Sequence, residues 1–334
     1  MNKLWLAIKY YLRKNSFYKK HLQTPINNCR YFTRNCVYYY KKYSIRKDKE
    51  VQGSTLFFII DPDKNHPGLT DRLKVIVCCY YIAKVNGLDF KIIFDQPFQL
   101  AQYLKPNLCN WVADWNSLSY SVQNSKLISY NGVTIHKLNK QKKQYHIYNY
   151  IGYDIFETNH FPNAKELWRQ LFQELFIPEK HLQQRILSCN MPPKTYFAIH
   201  LRFVNALENF EPGHFNVLSP EQQENLINRC IHAIQQIIQQ SEGKPILVFS
   251  DSQRFLDTVK TILPNVVILD GKIGHISYTD QRQLDNVVSK TLVDFYMIAQ
   301  AEKIFAIRAR EMYNSVFSYY AALVYNTQFT IIKV

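Results

Sequence analysis

No stretch of the 334-residue sequence reaches the roughly 18 consecutive apolar residues of a membrane-spanning helix. The start, MNKLWLAIKYYLRK, breaks its short apolar patch at Lys9 and offers no small-residue cleavage site, so a secretory signal is not expected. Glycine and proline are sparse, nine and 13, which excludes collagen-like and low-complexity architectures. The seven cysteines (29, 36, 78, 79, 109, 189 and 230) form no CxxC pair and have no histidines at zinc spacing. Free thiols of this kind fit a reducing, cytoplasmic compartment. There is no GxGxxG and no Walker loop, which removes support for dinucleotide oxidoreductases and P-loop enzymes. Asp61 and Asp63 have DxD spacing, but the intervening Pro62 and their early position make them poor metal ligands for a sugar nucleotide.

Acidic residues are also scarce where basic ones concentrate. Residues 1–50 hold 13 Lys and Arg against only Asp48 and Glu50, a net of +11, whereas residues 51–334 hold 28 basic and 24 acidic side chains, a net of +4. The overall +15 is therefore mostly an N-terminal property. Trp5, Tyr10, Tyr11, Phe17, Tyr18, Phe32 and Tyr38 to Tyr40 are interleaved with those cations. This mixture suits the headgroup region of an anionic leaflet. RNA stacking uses the same ingredients, and a solvated basic arm with no specific partner is the third reading.

Beyond the arm, 47% apolar and 20% charged residues describe a globular protein long enough for two domains. STLFFII at 54–60, an apolar helical pattern at 72–86 and KIIF at 91–94 predict a βαβ unit. Residues 105–160 carry no clear period, and a helix is expected at 164–176. The second half alternates strictly: strands at 195–199, 246–249, 266–269, 303–307 and 329–332, and helices at 220–240, 252–262, 289–300 and 312–325. Ser219 followed by Pro220 marks the start of the first of these helices. Such alternation requires parallel sheets covered on both faces. The expected organisation is a basic aromatic extension (1–50), an N-terminal Rossmann-like domain (51–185) and a C-terminal Rossmann-like domain (190–334), with a boundary near 178–194.

Ligands of such folds bind at the carboxyl ends of the strands. His200 and Arg202 follow one strand, and an arginine fork there suits a diphosphate. Ser250 and Asp251 follow the next, where Asp251 either accepts from guanine or ribose or caps the helix. Arg308, Ser315, Phe317 and Ser318 surround a helix start that could hold an anion or be capped by Asn314 or Ser315. Gly68, Asp71 and Arg72 join the first strand to its helix, Gly68 permitting a tight turn and close backbone approach.

The ordered set Gly68-Leu-Thr-Asp71-Arg72, His200-Leu-Arg202, Ser250-Asp251-Ser, Asp294-Phe-Tyr and Asn314-Ser315-Val-Phe317-Ser318 resembles the fucosyltransferase superfamily, over roughly residues 55–334. That group includes protein O-fucosyltransferases, α1,6-fucosyltransferases and bacterial surface-polysaccharide homologues. The resemblance implies a GT-B-like α/β fold, two Rossmann-like domains facing a cleft, and metal-independent, inverting transfer from GDP-fucose with no cofactor. It implies that Arg202 stabilises the leaving diphosphate, that Asp251 lies near the nucleotide, that Ser315, Phe317 and Ser318 line the diphosphate and base, and that the Gly68 loop faces the cleft from the other domain. Many relatives carry an acid soon after the HxR motif; here it is delayed to Glu208 and Glu211. Glu208 is the candidate base, unless a nearby Arg or Lys binds it, and His275 could line the cleft or be merely structural. The expected partners are a nucleotide sugar, a glycan or lipid-linked glycan acceptor and an anionic membrane surface through residues 1–50, without nucleic acid. The expected location is cytoplasmic, peripheral on the inner face of the membrane. A GT-B enzyme for another sugar nucleotide and a non-catalytic membrane- or RNA-binding protein remain the alternatives.

Overall fold

The computed structural model describes residues 23–46, 48, 50–62, 66–139, 141–210 and 217–334. It divides into two compact units, the first made of residues up to Asp61, Val75–Ile93 and Trp111–Phe161, the second of Pro62–Lys74, Phe94–Asn110 and Pro162–Val334. The second unit therefore begins well ahead of the expected 178–194 boundary, and it includes the Gly68–Asp71–Arg72 loop that was expected to face a cleft from the other domain.

In the first unit, helix α1 (Gln23–Lys42) precedes β1 (Thr55–Ile59), α2 (Leu69–Val85) and β2 (Asp89–Ile93), the expected βαβ unit. The residues without a clear period then yield β4 (Ser125–Tyr130) and β5 (Gln144–Tyr150), and the sheet runs β2-β1-β5-β4, all parallel. Polar residues on β5 hide it in the sequence. His146 is fully buried there because Tyr43 Oη at 2.5 Å and Gln144 Oε1 at 2.9 Å satisfy its ring nitrogens. Part of the segment expected as a basic aromatic extension also builds this unit. Tyr39 Oη accepts from Leu127 N at 2.9 Å, Asn35 donates to Ser129 Oγ at 3.1 Å, and Asp48 accepts from Ser119 Oγ and from the Tyr120 and Ser121 amides. Residues 1–22 of that segment lie outside the described residues.

The second unit opens with a small antiparallel pair, β3 (Leu104–Pro106) with β6 (Phe176–Pro178), around α4 (Ala164–Leu175) and α5 (Lys180–Leu187); the four-residue helix Ile155–Thr158 of the first unit is α3. Its main sheet holds β7 (Phe197–Leu201), β8 (Ile246–Ser250), β9 (Val266–Val267), β10 (Lys303–Arg308) and β11 (Gln328–Lys333) in the order β11-β10-β7-β8-β9, all parallel. Helices α6 (Pro220–Gln239), α7 (Gln253–Ile262), α8 (Gln281–Gln300) and α9 (Phe317–Val324) connect these strands. All five residues of β7 are buried, as a central parallel strand requires, and four of them are apolar. Leu226, Ile234 and Ile237 of α6 pack on Ile199 and Leu201, each fully buried aliphatic chain contributing about 1.5–3 kcal/mol. Ser219 and Gln222 form a capping box at the start of α6, with Pro220 at its first position as expected.

Several boundaries moved, among them the start of α9, which lies at Phe317 and not near 312. β7 ends two residues later than expected, so His200 lies inside the strand. α8 starts at Gln281 because Asp280 accepts from Arg282 N at 2.8 Å and caps it. β9 pairs over only two residues, after which the chain runs without regular structure to His275.

Candidate active site

In the second sheet the chain steps from β7 outward to β8 and β9, then returns to the opposite side of β7 with β10. β7 and β10 thus flank a topological switch point, the place where a crevice opens at the strand carboxyl ends. Ala306 pairs with His200, so Arg308 on β10 lies level with Arg202 just beyond β7.

Arg202 is held on two sides. Its Nε lies 3.3 Å from Asp251 Oδ2, and its guanidinium sits over the Phe210 ring at 4.6 Å. Its Nη groups make no hydrogen bond among the described residues, and a quarter of the side chain is exposed. The arginine is therefore oriented while its forked end stays available. Asp251 is buried, and its two oxygens also accept from Phe203 N and Val204 N at 2.7 Å each. Burial raises its carboxyl above the usual range, opposed by Arg202 and by those amides. With both oxygens engaged inside the protein, Asp251 positions Arg202 rather than receiving guanine or ribose. Val204 adopts φ +53°, a left-handed conformation that costs a β-branched residue about 1–3 kcal/mol. The Asp251 hook on its amide holds this strained turn directly after Arg202.

His200 is buried, and its Nδ1 lies 3.1 Å from Ser318 Oγ. Burial, then the charges of Arg202 and Arg308, push its imidazole down to about 3, so it is neutral at neutral pH. Ser318 is fully buried beneath this contact and is thus not open to a diphosphate. Phe317 packs between His200 and Phe295, with ring centroids 5.5 Å from each. The Asp294-Phe-Tyr motif consequently supports the site from behind. Asp294 itself accepts from Lys290 Nζ at 2.6 and 2.7 Å, an internal pair on α8. Arg308 Nη2 donates to Ser315 O at 2.9 Å, and Ser315 Oγ accepts from Phe317 N at 3.2 Å at the start of α9.

Ser250 Oγ accepts from Ser252 N at 3.2 Å, and Ser252, not Asp251, caps α7 through Phe255 N. Glu208 Oε1 accepts from Ser252 Oγ at 2.6 Å, while its other oxygen makes no hydrogen bond among the described residues. Glu211 lies outside the described residues. His275 accepts from Ser277 N at 3.2 Å and stacks between Phe210 (6.0 Å) and Tyr278 (4.7 Å), which continues the ring series begun on Arg202.

The Gly68 loop joins this unit differently from expectation. Arg72 is buried, donates to Pro67 O at 2.8 Å and to Ser277 Oγ at 3.2 Å, and lies over Phe94 at 5.4 Å. It anchors the 271–280 loop that carries His275. Asp71 pairs with Lys74 at 2.7 Å. Gly68 has an ordinary φ, and a Cβ there would meet nothing within 4 Å, so no tight turn or close approach requires glycine. Sequence reasoning missed Phe210, Val204, Ser252 and Ser277. Only Phe210 leaves a trace, as an aromatic without helical or strand period eight residues after Arg202.

No protein-family model matches the sequence, and no curated protein matches it. Solved structures do match. A NodZ α1,6-fucosyltransferase soaked with GDP-fucose aligns over 82% of this chain and 93% of its own, at 14% identity and a TM-score of 0.54. The fucosyltransferase NodZ from Bradyrhizobium gives the same TM-score and identity over 82% and 94%. A mutant of Arabidopsis thaliana FUT1 in complex with GDP aligns over 90% of this chain and 74% of its own, at 12% identity and a TM-score of 0.52. The chain thus shares the α/β fold of these solved structures.

Proposed function

We propose that the protein is an inverting, metal-independent glycosyltransferase that moves fucose from GDP-fucose to a surface-glycan acceptor, at an anionic membrane surface that residues 1–50 address. The observation that carries this reading is the pair of arginines level with one another at the switch point of the second sheet, beside the start of α9. Structures of this fold hold GDP or were soaked with GDP-fucose, which supports the donor assignment.

In the proposed step the acceptor oxygen attacks the anomeric carbon from the face opposite the nucleotide. The carbon–oxygen bond to the β-phosphate breaks, and GDP departs with the bonding electrons. Arg202, fixed by Asp251 and Phe210 before the reaction starts, meets the developing charge with its Nη groups, so little reorganisation is needed in the transition state. Arg308 adds a second permanent positive charge. Glu208 is the proposed base for the acceptor proton through its second oxygen. His200, neutral and buried, shapes the pocket and does not exchange protons at neutral pH.

The test is thermal shift followed by turnover. GDP should stabilise the protein while UDP and CMP do not, and GDP-fucose should then be consumed with a panel of acceptors, water included. A preference for another nucleotide reassigns the donor. Stabilisation by none of them, together with tight salt-sensitive RNA binding, removes the enzymatic reading.

A further inference from the structure

Helix α1 contains no acidic residue in its twenty positions. Asn35 and Tyr39 fix one side of it to β4 in the first unit. The other side is exposed and largely apolar, with Thr33, whose hydroxyl donates to Cys29 O at 2.9 Å, within it. Phe32 is 71% exposed, Val37 48% and Tyr40 91%, and the thiols of Cys29 and Cys36 are also exposed. These positions, 29, 32, 36, 37 and 40, recur at i, i+3, i+7, i+8 and i+11, the spacing of a single helix face about 16 Å long. A lone exposed hydrophobic residue is ordinary, whereas a face of five marks an interaction surface. Arg30, Arg34 and Lys41 recur at the same helical spacing on the positions beside that face.

We infer that this outer face of α1 is a lipid-docking surface, which lies in the plane of an anionic membrane with Phe32, Val37 and Tyr40 among the headgroups. An amphipathic helix with exposed Phe32 and Tyr40 on one face, exposed Lys41 beside it and arginines at adjoining sequence positions has the composition of an interfacial helix. It does not have that of a spanning one, and no helix among the described residues is long and apolar enough to cross a membrane. Charge decides between possible occupants. Residues 1–22 carry six basic and no acidic side chains, so the preceding segment has the same sign as the helix. A second copy docked through a two-fold axis would oppose the same cations to themselves. Nucleic acid matches the charge but leaves Val37 and the two thiols without a partner. Anionic lipid satisfies both the charge and the apolar face.

This inference rests on the membrane part of the proposed function and not on its donor chemistry, so GDP stabilisation measured on the same preparations reports on that chemistry separately. The test uses the full chain, a membrane-impermeant maleimide, and vesicles of phosphatidylcholine with or without phosphatidylglycerol, with labelled peptides mapped by mass. Vesicles containing phosphatidylglycerol should slow labelling of Cys29 and Cys36 by roughly tenfold or more, and added salt should relieve the protection. A Phe32→Ser/Val37→Ser/Tyr40→Ser variant should lose roughly tenfold in vesicle partitioning while keeping the wild-type circular dichroism spectrum. Four results would overturn the assignment. These are binding to vesicles with unprotected thiols, protection by polyuridylate in place of vesicles, protection that grows with protein concentration in their absence, and protection without vesicles that is removed by deleting residues 1–22. The wild-type labelling needs no variant, so a misfolded triple mutant does not blunt it.

Discussion

The two sheets are both wholly parallel, one of four strands and one of five, and they use charge at their carboxyl ends in opposite ways. Beyond β1 in the first unit, Asp61 is buried and pairs with Lys42 at 3.7 Å, whose ammonium also lies 5.8 Å from the Trp115 ring and 5.5 Å from that of Tyr148. An acid and two aromatic faces thus absorb the cation. Beyond β7 in the second unit, Arg202 has a carboxylate on Nε and a ring beneath it, but its forked end is left to solvent, and Arg308 stands level with it. Each unit also buries a histidine pushed down to about 3. His146 is lowered by burial with Asp48 opposing, whereas His200 is lowered by burial with two arginines reinforcing it. A parallel sheet does not by itself make an anion site; the proposed one depends on an arginine held in orientation through Nε with its forked end left uncovered.

Arg202→Ala breaks that contrast most severely. It should lower turnover by about 10²–10³-fold, the loss typical of a preorganised group that stabilises transition-state charge, while leaving the fold intact, with some loss of melting temperature because the buried Asp251 loses its counter-ion. Lys42→Ala, which removes the neutralised cation of the other sheet, should leave GDP binding unchanged. If turnover survives in Arg202→Ala, the second sheet has no special standing.

Truncation sharpens the comparison next. Removing residues 1–22 should leave both units folded. Removing 1–50 takes Tyr39 and Tyr43 from the cluster of Phe57, Ile59, Leu118, Leu127 and Tyr148, and the Asp48 bonds from the 119–121 segment. That loss is of the order of the few kcal/mol that separate folded from unfolded domains. Limited proteolysis should then cut the first unit and spare the second. Equal protection of both units would return residues 23–50 to the status of an independent arm.

The same segment shows what the sequence could and could not disclose. Strands such as β7, four of whose five residues are apolar, and helix starts such as Ser219-Pro220 follow local rules and are readable without tertiary knowledge. β5 is not, because Gln144 becomes an acceptable interior residue only through Ser117 O and Ser119 N, and His146 only through Tyr43, all partners distant in sequence. In the same way, Arg202 at a strand end is legible, but its supports are not. The Val204 strain, the Phe210 stack and the engaged oxygens of Asp251 arise when loops meet across the sheet. Arg72 reads in sequence as a ligand group, and only its bond to Ser277 reveals it as an anchor for another loop.

Acidification should act on both sheets through their histidines. Each imidazole is neutral in the folded protein down to about pH 3, whereas the unfolded chain takes up its proton near 6.5. Above 6.5 both states are neutral and the two histidines leave stability independent of pH. As pH falls from 6.5 towards 3 the unfolded state binds more protons, so stability declines, by up to a few kcal/mol for each histidine. His146→Gln and His200→Gln should each flatten this decline in a urea-denaturation series. GDP should protect the wild-type second unit against acid, since a bound diphosphate offsets the arginine charges that disfavour His200 protonation. An unchanged slope in His200→Gln would mean that the imidazole is open to solvent.

The smallest expected effect concerns the loop that enters α2. Gly68 precedes the first helical residue, its carbonyl accepts from Arg72 N at 3.1 Å, its φ is ordinary, and space is open where a Cβ would stand. Serine is as good as glycine or better at such a position, because its hydroxyl can accept from a free amide of the first turn. Gly68→Ser should therefore raise stability by a few tenths of a kcal/mol and leave GDP stabilisation unchanged. If the loop instead brings its backbone against the donor, as the resemblance implied, even a hydroxymethyl group would weaken the nucleotide response. Loss of that response in Gly68→Ser, with the melting temperature of the free protein intact, would extend the site of the second sheet to the loop. A normal response confines the site to Arg202, Arg308 and the start of α9.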